Sequence, residues 1–325
     1  MPPLKAIVLH NTDNKIFDKV KENEINKDKK QTIMILSVGE ILVDMMGNGD
    51  TYTMHVGGAP FNVAVGAKRA GAQVGFVGKV GDDVPGKFIL KNLDKFGLDK
   101  TVIKVDEDRN TTLAFVAHDE KGERDFAFFR HDTADYQLSL EDVDFDLFND
   151  VKILHVGTLM LSEAVGRDFA TALIGKAKEK GVVISIDANF RDDIYESKSA
   201  RNEIFKPYLD SADILKLGLD ELLDYTGAST LDEGVKVLDH KGVLFITDGG
   251  NGSHVYAGGY HAFIPSTKVT PIDTTGAGDA FFGTALQGID NLLASHTPLT
   301  VDALIPVTEK ANLAGAKATQ KLGAI

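Results

Sequence analysis

The segment PIDTTGAGDAFFG, Pro271 to Gly283, sets a flexible Gly-Ala-Gly directly before an aspartate and an apolar run. Gly276 and Gly278 let successive backbone N–H groups turn to one side with no Cβ in the way. The run that follows, AFFGTALQGI, has helical spacing, so these donors sit at a helix N-terminus. Such an end carries unpaired N–H groups and partial positive charge, and it receives anions. Asp279 falls in the first turn, beside the same space. If the anion is a phosphoryl group in transit, Asp279 is placed to take the proton of an attacking hydroxyl. A second reading stays open at this level: Asp279 complements the helix dipole and does nothing more.

Other routes to nucleotide chemistry are missing. No GxxxxGK followed by Ser or Thr occurs, and no HRD or DFG set. GFVGKVG and FITDGGNG are glycine-rich but do not fit the dinucleotide fingerprint between a strand and a helix. With no cysteine, thiol nucleophiles, disulfides and cysteine-based zinc sites are excluded, and a cytoplasmic location is expected. The formal net charge of −13 and the lack of a clustered basic footprint argue against nucleic acid as a partner. No apolar run reaches the length of a membrane span, and MPPLKAIVLHNTDNK does not read as a signal peptide.

The elements that must position these residues are legible as alternation. TIMILSVG, QVGFVGKVG, VKILHVG, GVVISIDAN, ADILKLG and GVLFITDGG are short apolar runs that read as buried strands. PFNVAVGAKRAGA reads as a helix with Phe61, Val63, Ala64 and Ala67 inward and Gly71 as its stop. PGKFILKNLDKFG reads as one helix ended by Gly97, with Phe88, Leu90, Leu93 and Phe96 inward. The expected class is α/β, a doubly wound, mostly parallel sheet with ligands beyond the carboxyl ends of its strands. TTLAFVAHDEKGERDFAFFR breaks the alternation as strand, turn, strand; with GDTYTMHVGG it predicts a small antiparallel lid over about 49–57 and 109–131. Residues 1–31 read as a charged N-terminal extension, and 32–325 as one domain.

Two stretches then carry a family resemblance. VGGAPFNVAVGAKRAGAQVGFVGKVGDDVPG resembles the N-terminal signature of the ribokinase-like (PfkB) carbohydrate kinases, and PIDTTGAGDAFFGTAL resembles their C-terminal signature, in the expected order. Within the family the chain is most similar to bacterial fructokinases. GEILVDMM resembles their opening block, and the lid keeps Phe-x-Phe-x-Arg-x-x-x-Ala-Asp from Phe126 to Asp135.

The resemblance implies an ATP-dependent kinase that phosphorylates the primary hydroxyl of a ketohexose, with fructose the expected acceptor. Asp279 is then the base, and the backbone of Gly276, Ala277 and Gly278 the anion hole. Asp44, Gly57, Gly58, Asn62 and Arg130 match sugar-binding positions, and Arg191 is expected near the phosphates. Thr247, Gly249 and Gly252, with Asn312 on the terminal helix, match the nucleotide side. Lys216 and Glu221 match the block whose glutamate organises Mg²⁺ through water. Asp273 and Thr275 match a loop that holds a monovalent cation such as K⁺. The implied partners are a small sugar and a second copy paired through the lid. Gly218 stands where ribokinases carry an asparagine, and TLML lacks their acid, which counts against ribose. A 2-keto-3-deoxygluconate kinase is the alternative enzyme, and a non-catalytic sugar-binding regulator the alternative class.

Overall fold

A computed structural model describes residues 34–48, 50–118, 124–321 and 323–324. The extension read at 1–31 and the turn of the predicted hairpin lie outside them. The strands are β1 (Met34–Val38), β2 (Leu42–Asn48), β3 (Thr51–Gly57), β4 (Val74–Gly81), β5 (Lys100–Asp106), β6 (Leu113–His118), β7 (Arg124–Phe129), β8 (Val151–Val156), β9 (Val183–Asp187), β10 (Ile214–Gly218), β11 (Val243–Asp248), β12 (Gly252–Ala257) and β13 (Tyr260–Pro265). The helices are α1 (Ala59–Arg69), α2 (Val84–Asn92), α3 (Ala164–Glu179), α4 (Lys198–Ser211), α5 (Leu219–Thr226), α6 (Leu231–Leu238), α7 (Ala277–Ala294) and α8 (Val301–Ala318).

Nine strands form one sheet in the order β13-β12-β11-β10-β9-β8-β1-β4-β5. From β5 to β11 every pairing is parallel; β12 and β13 close the edge as an antiparallel hairpin. Parallel strands are buried on both faces, so each run is apolar throughout. Successive residues then serve opposite cores. Ile35, Ile153, Val183, Ile214 and Phe245 face the layer that contains α1, α7 and α8. Leu36, Leu154, Ile184, Leu215 and Ile246 face the layer of α3, α4 and α5. This is the doubly wound α/β class that the alternation predicts.

A second sheet of four strands has the order β3-β2-β6-β7. The predicted hairpin is β6–β7, and GDTYTMHVGG supplies β3. The strand between them, β2, runs parallel to β6 and carries Asp44 in register with Ala114. The sequence reading did not place this strand in the lid. The reading of residues 84–97 also needs correction. The α-helix ends at Asn92, a 3-10 turn covers Leu93–Phe96, and Gly97 ends it in the left-handed region at φ 65°. Ile89 takes the core position at 0% exposure, whereas Leu90 faces outward at 39%. The helix phase set by Gly86 and Ile89 puts Leu90 on the next face. The inward stripe of α1 matches: Phe61, Val63, Ala64 and Ala67 are fully buried.

Candidate active site

The chemistry-bearing residues gather where β1, β9, β10 and β11 end, at the carboxyl edge of the parallel sheet. Helix α7 starts there. Gly276 is its N-cap at φ 72°, a left-handed conformation that glycine adopts without strain, and a Cβ on it would lie 2.5 Å from Ala324 O. Ala277 N–H contacts Thr274 O at 3.3 Å, while Gly278 and Asp279 stand in the first turn, whose N–H groups have no intrahelical acceptor.

Asp279 Oδ2 accepts a 2.8 Å hydrogen bond from Asn62 Nδ2 on α1, across 217 residues of sequence. The meeting depends on two glycines one turn further along each helix. A Cβ on Gly66 would lie 3.3 Å from Ala280 Cα, and a Cβ on Gly283 would overlap Val63 O. Close backbone approach at that level brings the residues at i−4, Asn62 and Asp279, into contact. Asn62 Oδ1 is buried and has no partner among the described residues. Burial pushes the Asp279 carboxyl above the usual aspartate value, while the Asn62 hydrogen bond and the charges of Lys216 and Arg191 pull it back. Asp44 is raised to about 7 by burial and then by the negative charge of Asp279.

On the adjacent strands, Lys216 Nζ donates to both oxygens of Asp187, at 2.8 and 2.7 Å. Burial opposes the ammonium charge, but Asp187, Glu221 and Asp279 outweigh it and hold Lys216 above the ordinary lysine value. Glu221 lies in the first turn of α5. Its Oε1 accepts from Phe190 N–H at 2.8 Å and its Oε2 from Gly218 N–H at 2.6 Å.

These groups line a cleft of about 920 Å³ bounded by Asp44, Gly58, Asn62, Arg191, Lys216, Glu221 and Asp279. Leu42, Ala114 and Phe128 of the four-stranded sheet form its apolar side. A second cleft of about 440 Å³ is lined by Thr247, Gly249, Gly252, Asn312 and the face of α7. Thr274 and Gly278 belong to both. One space offers carboxylate and amide partners for a polyol, the other opens between glycine turns and small helix residues, and they join at a helix N-terminus.

The family described as pfkB family carbohydrate kinase matches residues 32–325. The chain belongs to this family. It is a carbohydrate kinase. Fructokinase-1 of Zea mays is 33% identical over 305 residues, covering 90% of this chain and 93% of that protein. A fructokinase from Vibrio cholerae O395, solved with fructose, ADP and calcium ion, superposes with TM-score 0.82 at 30% identity, covering 90% of this chain and 94% of that one. A fructokinase from Xylella fastidiosa with bound ATP gives TM-score 0.81 at 29% identity, covering 90% and 93%.

The remaining residues of this carbohydrate kinase are placed as follows. Gly57 ends β3 and packs against Asp44: a Cβ there would overlap the Asp44 carboxylate. Asn312 is structural as well as cleft-lining, since its Nδ2 donates to Ile264 O at 2.9 Å and its Oδ1 accepts from Ser253 Oγ at 2.8 Å. Asp273 closes a tight turn with Thr275 N–H at 2.9 Å and takes Gly323 N–H at 2.9 Å, so the loop and the tail form one unit. Arg130 stands behind the cleft wall. Its side chain is 4% exposed, with Nε on Asp135 at 2.9 Å and a terminal nitrogen on Ser162 at 2.7 Å. Sequence reasoning missed Glu40. It lines the cleft, its Oε2 is unpartnered among the described residues, and burial raises it to about 7. Its signals were an acid directly after the glycine that ends the first strand and its place in the block GEILVDMM.

Proposed function

We propose that this sugar kinase transfers the γ-phosphoryl group of ATP to the primary hydroxyl of fructose, giving fructose 6-phosphate and ADP. The carrying observation is the partly buried Asp279 carboxylate beside the junction of the two clefts, held by Asn62. The sugar lies in the larger cleft. Asp44 accepts from its hydroxyls, and the free Asn62 Oδ1 accepts another. The four-stranded sheet covers the sugar and excludes water, the competing acceptor. The hydroxyl oxygen forms a bond to the γ-phosphorus, the bond to the bridging oxygen of ADP breaks, and the hydroxyl proton passes to Asp279. The N–H groups of Gly278 and Asp279, with Arg191, stabilise charge on the transferring group.

Mg²⁺, when bound with the nucleotide, neutralises phosphate charge. Both Glu221 oxygens already accept backbone N–H groups, and no cluster of three metal-ligating side chains exists among the described residues. That donor set fits an ion held through phosphate and water. The loop of Asp273 and Thr275 is the place for a monovalent cation.

The acidic lining also favours a neutral sugar. Glu40 and Asp44 face the cleft, while Arg130, the cation that would pair with the carboxylate of 2-keto-3-deoxygluconate, does not line it and bonds Asp135 and Ser162 through two of its three nitrogens. The test is coupled ADP release with Mg-ATP against fructose, 2-keto-3-deoxygluconate, ribose, glucose and adenosine, with Asp279→Asn beside the wild type. Turnover on fructose, lost by about 10²- to 10⁴-fold in the variant, is expected. Near-normal kcat in Asp279→Asn would remove the base assignment. Preference for another acceptor would move the substrate, and sugar binding without turnover would favour the regulator.

A further inference from the structure

The turn that carries Arg191 is gripped on both sides by groups that the reaction scheme leaves unused. On one side, the Phe190 ring meets the guanidinium of Arg201, 4.2 Å from its centroid, and the Tyr225 ring, stacked at 5.8 Å and 19°. The Phe205 ring meets it edge-on at 4.8 Å. On the other side of Arg191, the same guanidinium bonds Asp192. It also reaches Asp224 on α5 at 2.6 Å and Asn202 at 2.8 and 3.1 Å. All three guanidinium nitrogens are therefore occupied, as an arginine only 1% exposed requires.

The grip has something to hold. Asn189 sits at φ 42°, a left-handed conformation that a residue with a side chain keeps only when its surroundings fix it. Among the described residues the Arg191 side chain makes one hydrogen bond, 3.0 Å from its terminal nitrogen to Phe190 O. Its position is thus set through its neighbours Phe190 and Asp192, both of which Arg201 contacts. Arg201 also ties this turn to Asp224, on the helix whose first turn carries Glu221, and Glu221 accepts from Phe190 N–H. The turn after β9 and the start of α5 are fastened as one unit.

We infer that Arg201 is a positioning residue that locks the Asn189–Asp192 turn and so aims Arg191 at the phosphoryl-transfer centre. This rests on the proposed role of Arg191. A planar fork stacked on a ring and bonded on three sides is not replaced by a lysine. The consequence reaches the acids of the cleft, because the Arg191 charge helps keep both Asp44 and Asp279 ionised.

The test is a double-mutant cycle of Arg201→Lys and Arg191→Met, read as kcat, sugar KM and the pH profile of kcat/KM. Arg201→Lys is expected to lower kcat by about tenfold or more, with sugar KM within about twofold, and to move the acid limb upward. In the Arg191→Met background the same change should cost less than about threefold, since the residue it aims is gone. Equal losses in both backgrounds, or wild-type kcat in Arg201→Lys, would overturn the inference. Full activity of Arg191→Met alone would instead remove the reading it rests on. If Arg201→Lys does not fold, Asp192→Asn enters the same cycle with the same criteria, because the Asp192 carboxylate is 48% exposed and an asparagine there still offers Arg201 an oxygen acceptor.

Discussion

Asn62 offers the most direct measurement of what the active-site acid does. Its Nδ2 hydrogen bond to Asp279 Oδ2 is 2.8 Å long and partly buried, and it stabilises the carboxylate rather than the neutral acid. A hydrogen bond to a charged group contributes about 1.5–3 kcal/mol, and one pKa unit corresponds to about 1.4 kcal/mol. Asn62→Ala should therefore raise the Asp279 pKa, less so where water enters the space left by the amide. The sign is fixed. Burial already holds Asp279 above the usual aspartate value, and loss of the donor moves it further up. Below that pKa the acid is protonated and cannot accept the sugar proton. The acid limb of log kcat/KM should shift upward by about one pH unit, so that activity on the limb falls about tenfold while the alkaline plateau falls only by the loss of sugar contact at Oδ1. The assay is ADP release at subsaturating fructose from pH 5 to 9, with fructose affinity measured separately by calorimetry. Because Asp44 titrates beside Asp279, the limb belongs to the pair. An unmoved limb with a raised KM would make Asn62 a sugar ligand only. A limb moved downward would contradict the electrostatic argument.

Two further perturbations probe the sugar end and the scaffold. Gly57→Ala puts a methyl where the Asp44 carboxylate lies, so sugar KM should rise at least about tenfold with the ATP KM within about twofold; equal effects on both would show general disruption instead. Asp290 on α7 is 7% exposed, its Oδ1 has no partner among the described residues, and burial raises it from 3.8 to about 7. The folded state thus binds this proton more tightly than the unfolded chain, and stability is lost as pH rises through that interval. Asp290→Asn should stabilise the protein at pH 8, by about 4 kcal/mol at most, and leave it nearly unchanged below pH 4; urea denaturation showing no gain at pH 8 would refute this.

What the sequence disclosed and what it hid divide by range. The start of α7 is a local event, written in Gly276 to Asp279, and the structure begins the helix at Ala277 as that reading requires. The strands of the parallel sheet are equally local, because burial on both faces leaves a continuous apolar run. Partners are not local. Asn62 meets Asp279 only because Gly66 and Gly283 let two distant helices touch, and Lys216 meets Asp187 only because β10 pairs with β9 in that register. Arg130, expected at the sugar, shows the same limit: its place after the hairpin is local, but its burial against Asp135 and Ser162 is not. Arg201 was legible after all. Phe205, Tyr208 and Leu209 are the buried stripe of α4, and Arg201 stands one turn before Phe205 on the same stripe. A cation placed where the helix period demands an apolar side chain must find carboxylates and a ring inside the fold. Here those partners are Asp192, Asp224 and Phe190, which border the very turn that presents Arg191 to the cleft. A charged side chain that breaks the amphipathic pattern of a helix is therefore the signal that leads from the scaffold to the site.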